Sequence, residues 1–152
     1  MLGIEALATE FPDAKFVMTH RDVTEVLPSV ADLYSELTKV FTDDLDLHYL
    51  GSLNVDQWST GIARTLKFRA DNEDRFFDID FRAMQADPIG VVTSLYDWLG
   101  QEVSPEFEGR MTQWWKRSAE NREILERPGP EVFGIDAKAV RPLFAEYSAR
   151  FT

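Results

Sequence analysis

Arg21 and Ser29 are the two residues whose types and spacing most favour a chemical role. Arg21 directly follows a mostly apolar run at 15–20 that is typical of a buried strand, and Ser29 falls in the first turns of the next helix. A guanidinium fork beside a serine hydroxyl near a helix N-terminus suits a dianionic phosphate. The residues alone leave a structural alternative open, in which Arg21 pairs with Asp22 or Glu25. Ser29 then caps or bonds to its own helix.

The other titratable residues favour structural roles. His20 could act as a base beside Arg21, although a lone histidine at a strand end is more often a structural group. Asp78 and Asp80 share one strand face as metal ligands do, although a solvent-facing surface explains them more simply. The absence of cysteine excludes thiolate chemistry. We therefore expect no metal site and assign no catalytic residue.

Composition restricts the class of protein. The 152 residues are 44% hydrophobic, enough for one core, and 16 Lys and Arg against 27 Asp and Glu give a net charge of -11. This charge disfavours binding to nucleic acid. No apolar run has the length of a membrane span, and the start of the chain has no basic leader. The sequence predicts a single domain over 1–152 that is cytoplasmic and contacts neither nucleic acid nor membrane.

Two short strands must position Arg21. The first covers 15–20 and should be buried, and the second covers 75–81. In the second strand Phe77, Ile79 and Phe81 alternate with the aspartates, so the three apolar residues should face one way. Two strands are too few for a free-standing parallel sheet covered on both faces, so part of the fold is expected to be missing.

Several helices separate and follow the strands. Apolar periodicity and capping residues predict them over 2–11, from Asp22 or Thr24 to Val40, over 54–70, over 87–100, from Ser104 onward and over about 136–151. In the second of these, the core-facing stripe should be Val26, Val30, Leu33, Leu37 and Val40. Pro28 should lie in its first turn, where the missing N–H matters little.

Longer stretches resemble the PAPS-dependent sulfotransferases, where PAPS is 3′-phosphoadenosine 5′-phosphosulfate. Residues 11–22, with Ser29 eight positions after Arg21, resemble the segment that holds the donor's 3′-phosphate. Residues 81–88 and the helix to Gly100 look like the strand, "DP" turn and helix of that family. Residues 133–135 and 144–151 look like its C-terminal "FGL" and "F-x-x-Y" stretches. The resemblance implies an α/β, helix-rich, incomplete P-loop-type sulfotransferase fold with about two parallel strands.

The resemblance also implies a cofactor and site residues. It favours Arg21 and Ser29 as ligands of PAPS or of its product adenosine 3′,5′-bisphosphate. Arg127, six residues before Phe133, matches a basic loop of the family, although its neighbours differ from the usual loop. Phe81 matches an aromatic beside the adenine, but an inward-facing phenylalanine on a strand is also an ordinary core residue.

The catalytic machinery of such enzymes has no counterpart here. Sulfuryl transfer needs a backbone nest with a lysine for the phosphosulfate and a general base on the acceptor. Neither is present, so the chain should not catalyse sulfation alone. We expect one of two situations. In the first, the chain is half of an enzyme, with another chain completing it or a second copy covering its sheet. In the second, it is an inactive binding or interaction module. The acceptor, a small molecule or carbohydrate bearing a hydroxyl or amine, is not identified.

Overall fold

A computed structural model describes residues 1–120 and 127–152 of the protein. Within these residues the chain is mostly helical and contains two strands, as expected. In chain order the elements are α1 (Ile4–Glu10), β1 (Phe16–His20), α2 (Val23–Thr38), α3 (Leu47–Arg69), β2 (Phe76–Asp80), α4 (Phe81–Ala86), α5 (Pro88–Trp98), α6 (Pro105–Glu120), α7 (Ala137–Val140) and α8 (Ala145–Phe151). Short 3₁₀ turns lie at Glu73–Arg75, Pro130–Phe133 and Arg141–Phe144.

The two strands are parallel and in register, with Phe16 opposite Phe76 and His20 opposite Asp80. Because both strands end at the same edge of the sheet, the residues that follow them are neighbours. Arg21 follows β1 and Phe81 follows β2. The parallel pairing of the strands therefore places Arg21 and Phe81 side by side.

The first strand is half-buried and not buried as the apolar run indicated. Helix α3 covers one face of the sheet, where the Phe68 ring meets Phe16 and Phe76 edge-on at 5.8 and 6.1 Å between ring centres. On the opposite face Val17 is 46% exposed. The prediction failed because the described residues cover this strand on one face only, whereas its composition suits a strand covered on both.

Helix α2 presents a different face to the core from the one predicted. Val23, Leu27 and Ala31 are buried, whereas Leu33, Leu37 and Val40 are more than half exposed. The helix begins at Val23 because the Asp22 carboxylate accepts a hydrogen bond from the Thr24 N–H. The helix was predicted correctly, but its predicted core-facing stripe was wrong, because the apolar side chains of its C-terminal half form an outward stripe.

Pro28 lies elsewhere than expected, and Pro142 divides the last predicted helix. Pro28 is the sixth residue of α2, beyond the first turn, and it is buried against the core. Pro142 interrupts the predicted last helix, which divides into α7, a 3₁₀ turn and α8, because its nitrogen cannot donate to the preceding turn.

Helix α3 begins at Leu47, seven residues before the predicted start at 54, because the Asp46 carboxylate caps it by accepting a hydrogen bond from the Tyr49 N–H.

The core joins α2 and α3 to the C-terminal segment. Its buried side chains are Val23, Leu27, Ala31, Ile62, Leu66, Phe133, Ile135, Val140, Phe144 and Tyr147. The C-terminal residues thus pack against the helix that follows β1.

A fully buried arginine connects α3 to the sheet. Arg69 is 0% exposed, and its Nη1 and Nη2 donate to the two carboxylate oxygens of Asp78, both at 2.7 Å. It also donates to Glu73 at 3.0 and 2.6 Å, and its guanidinium lies 4.4 Å from the Phe76 ring centre. Asp78 is exposed, as the strand pattern suggested, and it is in addition the ion-pair partner of Arg69.

This ion pair predicts a specific response to acid. Hydrogen bonds from Arg69 lower the pKa of Glu73, and those from Arg69 and His20 overcome the burial that would raise the pKa of Asp78, so both values lie below the ordinary 4.5 and 3.8. The stability they contribute is complete above about pH 5 and lost as the pH falls through the folded values. Asp78→Asn should cost about 3 kcal/mol at neutral pH and flatten the acid side of the stability curve.

Urea unfolding at a series of pH values measures both effects. Asp71→Asn is the matched control, because Asp71 is an exposed carboxylate outside the ion pair, and it should retain the wild-type curve. An Asp78→Asn protein with wild-type stability at neutral pH would show that the pair does not hold α3 to the sheet.

Candidate functional site

A cavity of about 200 Å³ opens at the edge of the sheet where both strands end. Its walls come from the end of β1, the start of α2, the end of β2, the start of α4 and the last residue of the chain. The lining residues are His20, Arg21, Asp22, Glu25, Asp80, Phe81, Arg82 and Thr152. Crevices at the carboxyl ends of parallel strands are the usual ligand sites of open α/β sheets.

Arg21 is held over an aromatic ring at this cavity. Its guanidinium carbon lies 4.5 Å from the centre of the Phe81 ring, a cation–π distance. Its Nε donates to Glu25 at 2.8 Å, and both side chains are partly exposed, at 42% and 47%. This is the ion pair that the residues alone left open as an alternative. This contact uses one of the five N–H donors of the Arg21 guanidinium.

Ser29 does not join Arg21 directly. Its hydroxyl accepts a hydrogen bond from Nη1 of Arg127, which is separated from it by 98 positions in the sequence. The structure therefore forms two pairs, Arg21 with Phe81 and Ser29 with Arg127. Glu25 lies between them, since it is four residues from each of Arg21 and Ser29 and such spacing aligns side chains along a helix.

Phe81 occupies a different element from the one expected. It is the first residue of α4 and is partly buried, instead of continuing the alternation of Phe77 and Ile79. The strand stops at Asp80 because that carboxylate accepts from the Ala83 N–H at 2.8 Å and begins the helix. The ring consequently faces Arg21 at the sheet edge.

The cavity has more carboxylates than arginines. Arg21 and Arg82 face the carboxylates of Asp22, Glu25 and Asp80. Hydrogen bonds from the Thr24 hydroxyl and N–H lower the pKa of Asp22, with help from nearby arginines. Since Asp22 and Asp80 cap helices, Glu25 is the carboxylate that competes directly for the Arg21 fork. An anion must replace Glu25 to bind Arg21 through Nε and the terminal amino group beside it.

His20 lines the cavity but is a structural group, as the sequence favoured. Its Nε2 lies 2.7 Å from Asp78 and its Nδ1 lies 3.1 Å from the hydroxyl of Tyr147. The imidazole is 2% exposed and stacks on the Phe151 ring at 4.1 Å. Burial raises the pKa of Tyr147, although a hydrogen bond from the Arg21 backbone N–H acts in the other direction.

Sequence reasoning missed Arg82 and Glu25 as lining residues. Arg82 directly follows the second strand as predicted over 75–81, as Arg21 follows the first, and this correspondence could have identified it once the strands were predicted parallel. Within residues 1–120 and 127–152 no cluster of three or more metal-ligating side chains occurs. None of the described helices combines the length and apolarity that a membrane crossing needs.

Comparisons with known proteins identify relatives. A family model described as "Sulfotransferase family" matches residues 1–105. The crystal structure of sulfotransferase STF9 from Mycobacterium avium superposes with a TM-score of 0.87 and 30% identity, over 99% of this chain and 39% of that one. Sulfotransferase STF1 from Mycobacterium tuberculosis H37Rv gives 0.77 and 27%, over 94% of this chain and 36% of its own. None of the curated proteins matches. The chain thus spans under two-fifths of these solved structures.

The competition at Arg21 is testable with a simple anion. Glu25→Gln removes the carboxylate that holds the Arg21 Nε, so inorganic phosphate should bind about two- to fivefold more tightly at low salt. Chemical-shift titration of the arginine side chains measures this change. Glu106→Gln, which removes the same kind of contact from Arg110, should leave the titration unchanged. Equal affinities in wild type and Glu25→Gln would mean that Glu25 does not oppose anion binding.

Proposed function

The chain belongs to the sulfotransferase family, and from that premise we propose that it binds the adenosine and 3′-phosphate side of PAPS at the sheet edge. The observation that carries the proposal is the Arg21 guanidinium stacked on Phe81 at the wall of a cavity. A planar cation fits a phosphate bidentately, and an aromatic ring next to it offers a surface for a base.

The size of the cavity limits what it can hold. Ligand pockets for drug-sized molecules have volumes of roughly 300–1,000 Å³. The cavity beside Arg21 measures about 200 Å³, which suits a phosphate and the sugar attached to it. The rest of the nucleotide would extend beyond this cavity. The residues present therefore fit one side of PAPS and not the whole molecule.

Each site residue has a role in the proposal. Arg21 binds the 3′-phosphate after leaving Glu25, and Arg82 adds a second positive charge at the same cavity. Ser29 and Arg127 form the adjoining pair, one helical turn beyond Glu25, and supply a hydroxyl and a guanidinium to the same anion. Phe81 supports Arg21 and contacts the nucleoside. All of these groups bind or orient the donor.

The transfer step needs more than these residues. When bound, PAPS supplies the sulfuryl group for a hydroxyl or amine acceptor. The 152 residues include no Gly-rich phosphate loop with a lysine, so we assign no catalytic residue and expect no sulfate transfer by the isolated protein. We propose that a complementary polypeptide completes the site. The alternative is a catalytically inactive binding or interaction module.

The outward stripe of α2 supports a partner. Leu33 and Leu37 are 55% and 54% exposed, and Val40 and Phe41 continue the patch at 76% and 88%. A contiguous apolar stripe of this kind is typical of a protein interface. A second copy of the chain or a complementary chain would cover it.

Nucleotide selectivity tests the proposed function. Adenosine 3′,5′-bisphosphate should bind about tenfold or more tightly than adenosine 5′-monophosphate, because a charge-assisted bidentate contact contributes roughly 1.5–3 kcal/mol. Arg21→Lys should remove most of this preference, since an ammonium lacks the planar fork. Calorimetric titration measures both.

A matched substitution controls for general charge effects. Arg110→Lys changes an exposed arginine that also pairs with a glutamate four residues away, and it should leave the preference intact. Equal binding of the two nucleotides by the folded wild type would reject the 3′-phosphate site.

Assembly is a separate expectation. The wild type should scatter light as a dimer or larger species, or become monodisperse only with a complementary chain, because of the exposed stripe. Leu37→Asp should shift it to monomer. Asp32→Asn, a change on α2 outside the stripe, should not alter the mass. A wild type that is monomeric at high concentration and binds no complementary chain would contradict the partner proposal.

A further inference from the structure

A second cavity lies between α4, α5 and α6. Its volume is about 420 Å³, which falls within the roughly 300–1,000 Å³ that is usual for small-molecule sites. The two long walls consist of apolar side chains from α5 and α6, namely Pro88, Ile89, Val92, Phe107, Met111 and Trp114. Among the described residues, none lines both this cavity and the one beside Arg21.

The way α5 meets α6 leaves this space open. The rings of Tyr96 and Phe107 touch close to the connection between the two helices, with 5.5 Å between ring centres. The cavity lies beyond this contact, toward the start of α5 and the end of α6. In these two helices, which the structure describes in full, none of the residues is buried. The apolar walls are therefore only partly covered, and a molecule that fills the space would remove them from water.

The side chains of the walls favour a flat aromatic group. Phe107, Trp114 and Trp115 offer ring faces and edges for stacking. Met84 and Met111 add flexible thioethers, which adapt to the shape of a neighbour and make favourable contacts with aromatic rings. Trp114 is 66% exposed, so its ring is accessible to a molecule that enters the cavity.

The charge at this cavity favours an anion. Arg110 is the one charged side chain among the described residues that line it. Its Nη2 donates to Glu106 at 2.7 Å, and both side chains are 76% exposed. Because an ion pair at such a position is weak, an incoming anion can replace Glu106. A nucleotide suits the site poorly, since apolar walls give few partners to ribose hydroxyls and base nitrogens.

We infer that this cavity binds an aromatic compound that carries one anionic group, with the ring between α5 and α6 and the anion on Arg110. The inference does not rest on the nucleotide site. Helix α4 contributes Phe81 and Arg82 to the cavity beside Arg21 and contributes Met84 to this one. The two ligands therefore occupy different cavities and can bind at the same time.

Three probes of the same shape test the ligand class. They are 2-naphthoate, the neutral 2-naphthalenemethanol and the cationic 2-naphthylmethylammonium, each titrated calorimetrically into the folded protein. At low salt the acid should bind about three- to fivefold more tightly than the alcohol, and the ammonium should bind most weakly. Arg110→Gln should remove the difference between acid and alcohol and leave the affinity for the alcohol unchanged. Lys116→Gln, which removes a cation of α6 outside the cavity, should preserve the difference.

A substitution that fills the space tests the location. Val92→Phe places a ring inside the cavity, so the acid and the alcohol should both bind at least about tenfold more weakly. Ser94→Phe places the same ring at an exposed position of α5 outside the cavity and should not alter binding. If Val92→Phe does not fold, Arg110→Gln decides the matter, because Arg110 is exposed and its replacement leaves the packing intact.

Four results would overturn the inference. They are no saturable binding of 2-naphthoate at millimolar concentration, equal affinities for the acid and the ammonium, unchanged affinity in a folded Val92→Phe protein, and displacement of 2-naphthoate by adenosine 3′,5′-bisphosphate. Binding that is lost as the protein concentration rises would also overturn it, because the cavity would then be an interface between copies. None of these results depends on whether the protein prefers the bisphosphate to the monophosphate.

Discussion

The ion pair between the buried Arg69 and Asp78 is the contact on which the rest of the structure depends. Arg69 has no exposure to solvent and must keep its partners, because an unpaired buried charge costs several kcal/mol. Asp78 lies at the middle of β2, so the pair fixes α3 against the sheet. His20 donates to the same carboxylate and brings the end of β1 into the arrangement. Strand ends fixed in this way can hold Arg21 and Phe81 in contact.

One carboxylate of the site competes with an incoming anion for Arg21. Glu25 holds the Arg21 Nε at a partly exposed position, where an ion pair is worth about 0–1 kcal/mol. A dianionic phosphate that engages the fork bidentately gains more than this contact loses. Without a ligand Arg21 is therefore paired with Glu25, but a phosphate can replace this partner. The difference in free energy between the two contacts favours release of Glu25 when phosphate binds. Asp22 and Asp80 do not compete as strongly, because each is engaged by the N–H groups of a helix start.

Much of the fold followed from local patterns, and the family matches confirm the sequence resemblance. Asp87 with Pro88 located the start of α5, and Gly100 its end at a φ of 72°, because these signals act within a few residues. The buried side of α2 could not be derived, since periodicity alone does not say whether Leu37 faces the core or a partner. Arg127 reaches Ser29 across 98 positions, a contact that depends on the tertiary fold. Asp78 is exposed as predicted, but its ion pair with Arg69 could not be derived, because an alternating strand does not reveal which side chain of another element reaches its polar residues.

The most direct measurement is a crystal structure of the protein bound to adenosine 3′,5′-bisphosphate. The 3′-phosphate is expected within hydrogen-bond distance of Nε and a terminal nitrogen of Arg21 and of the Ser29 hydroxyl, with Glu25 turned away. A nucleotide bound elsewhere, or one bound in this cavity while Arg21 stays on Glu25, would contradict the central claim that this sheet edge is a 3′-phosphate site.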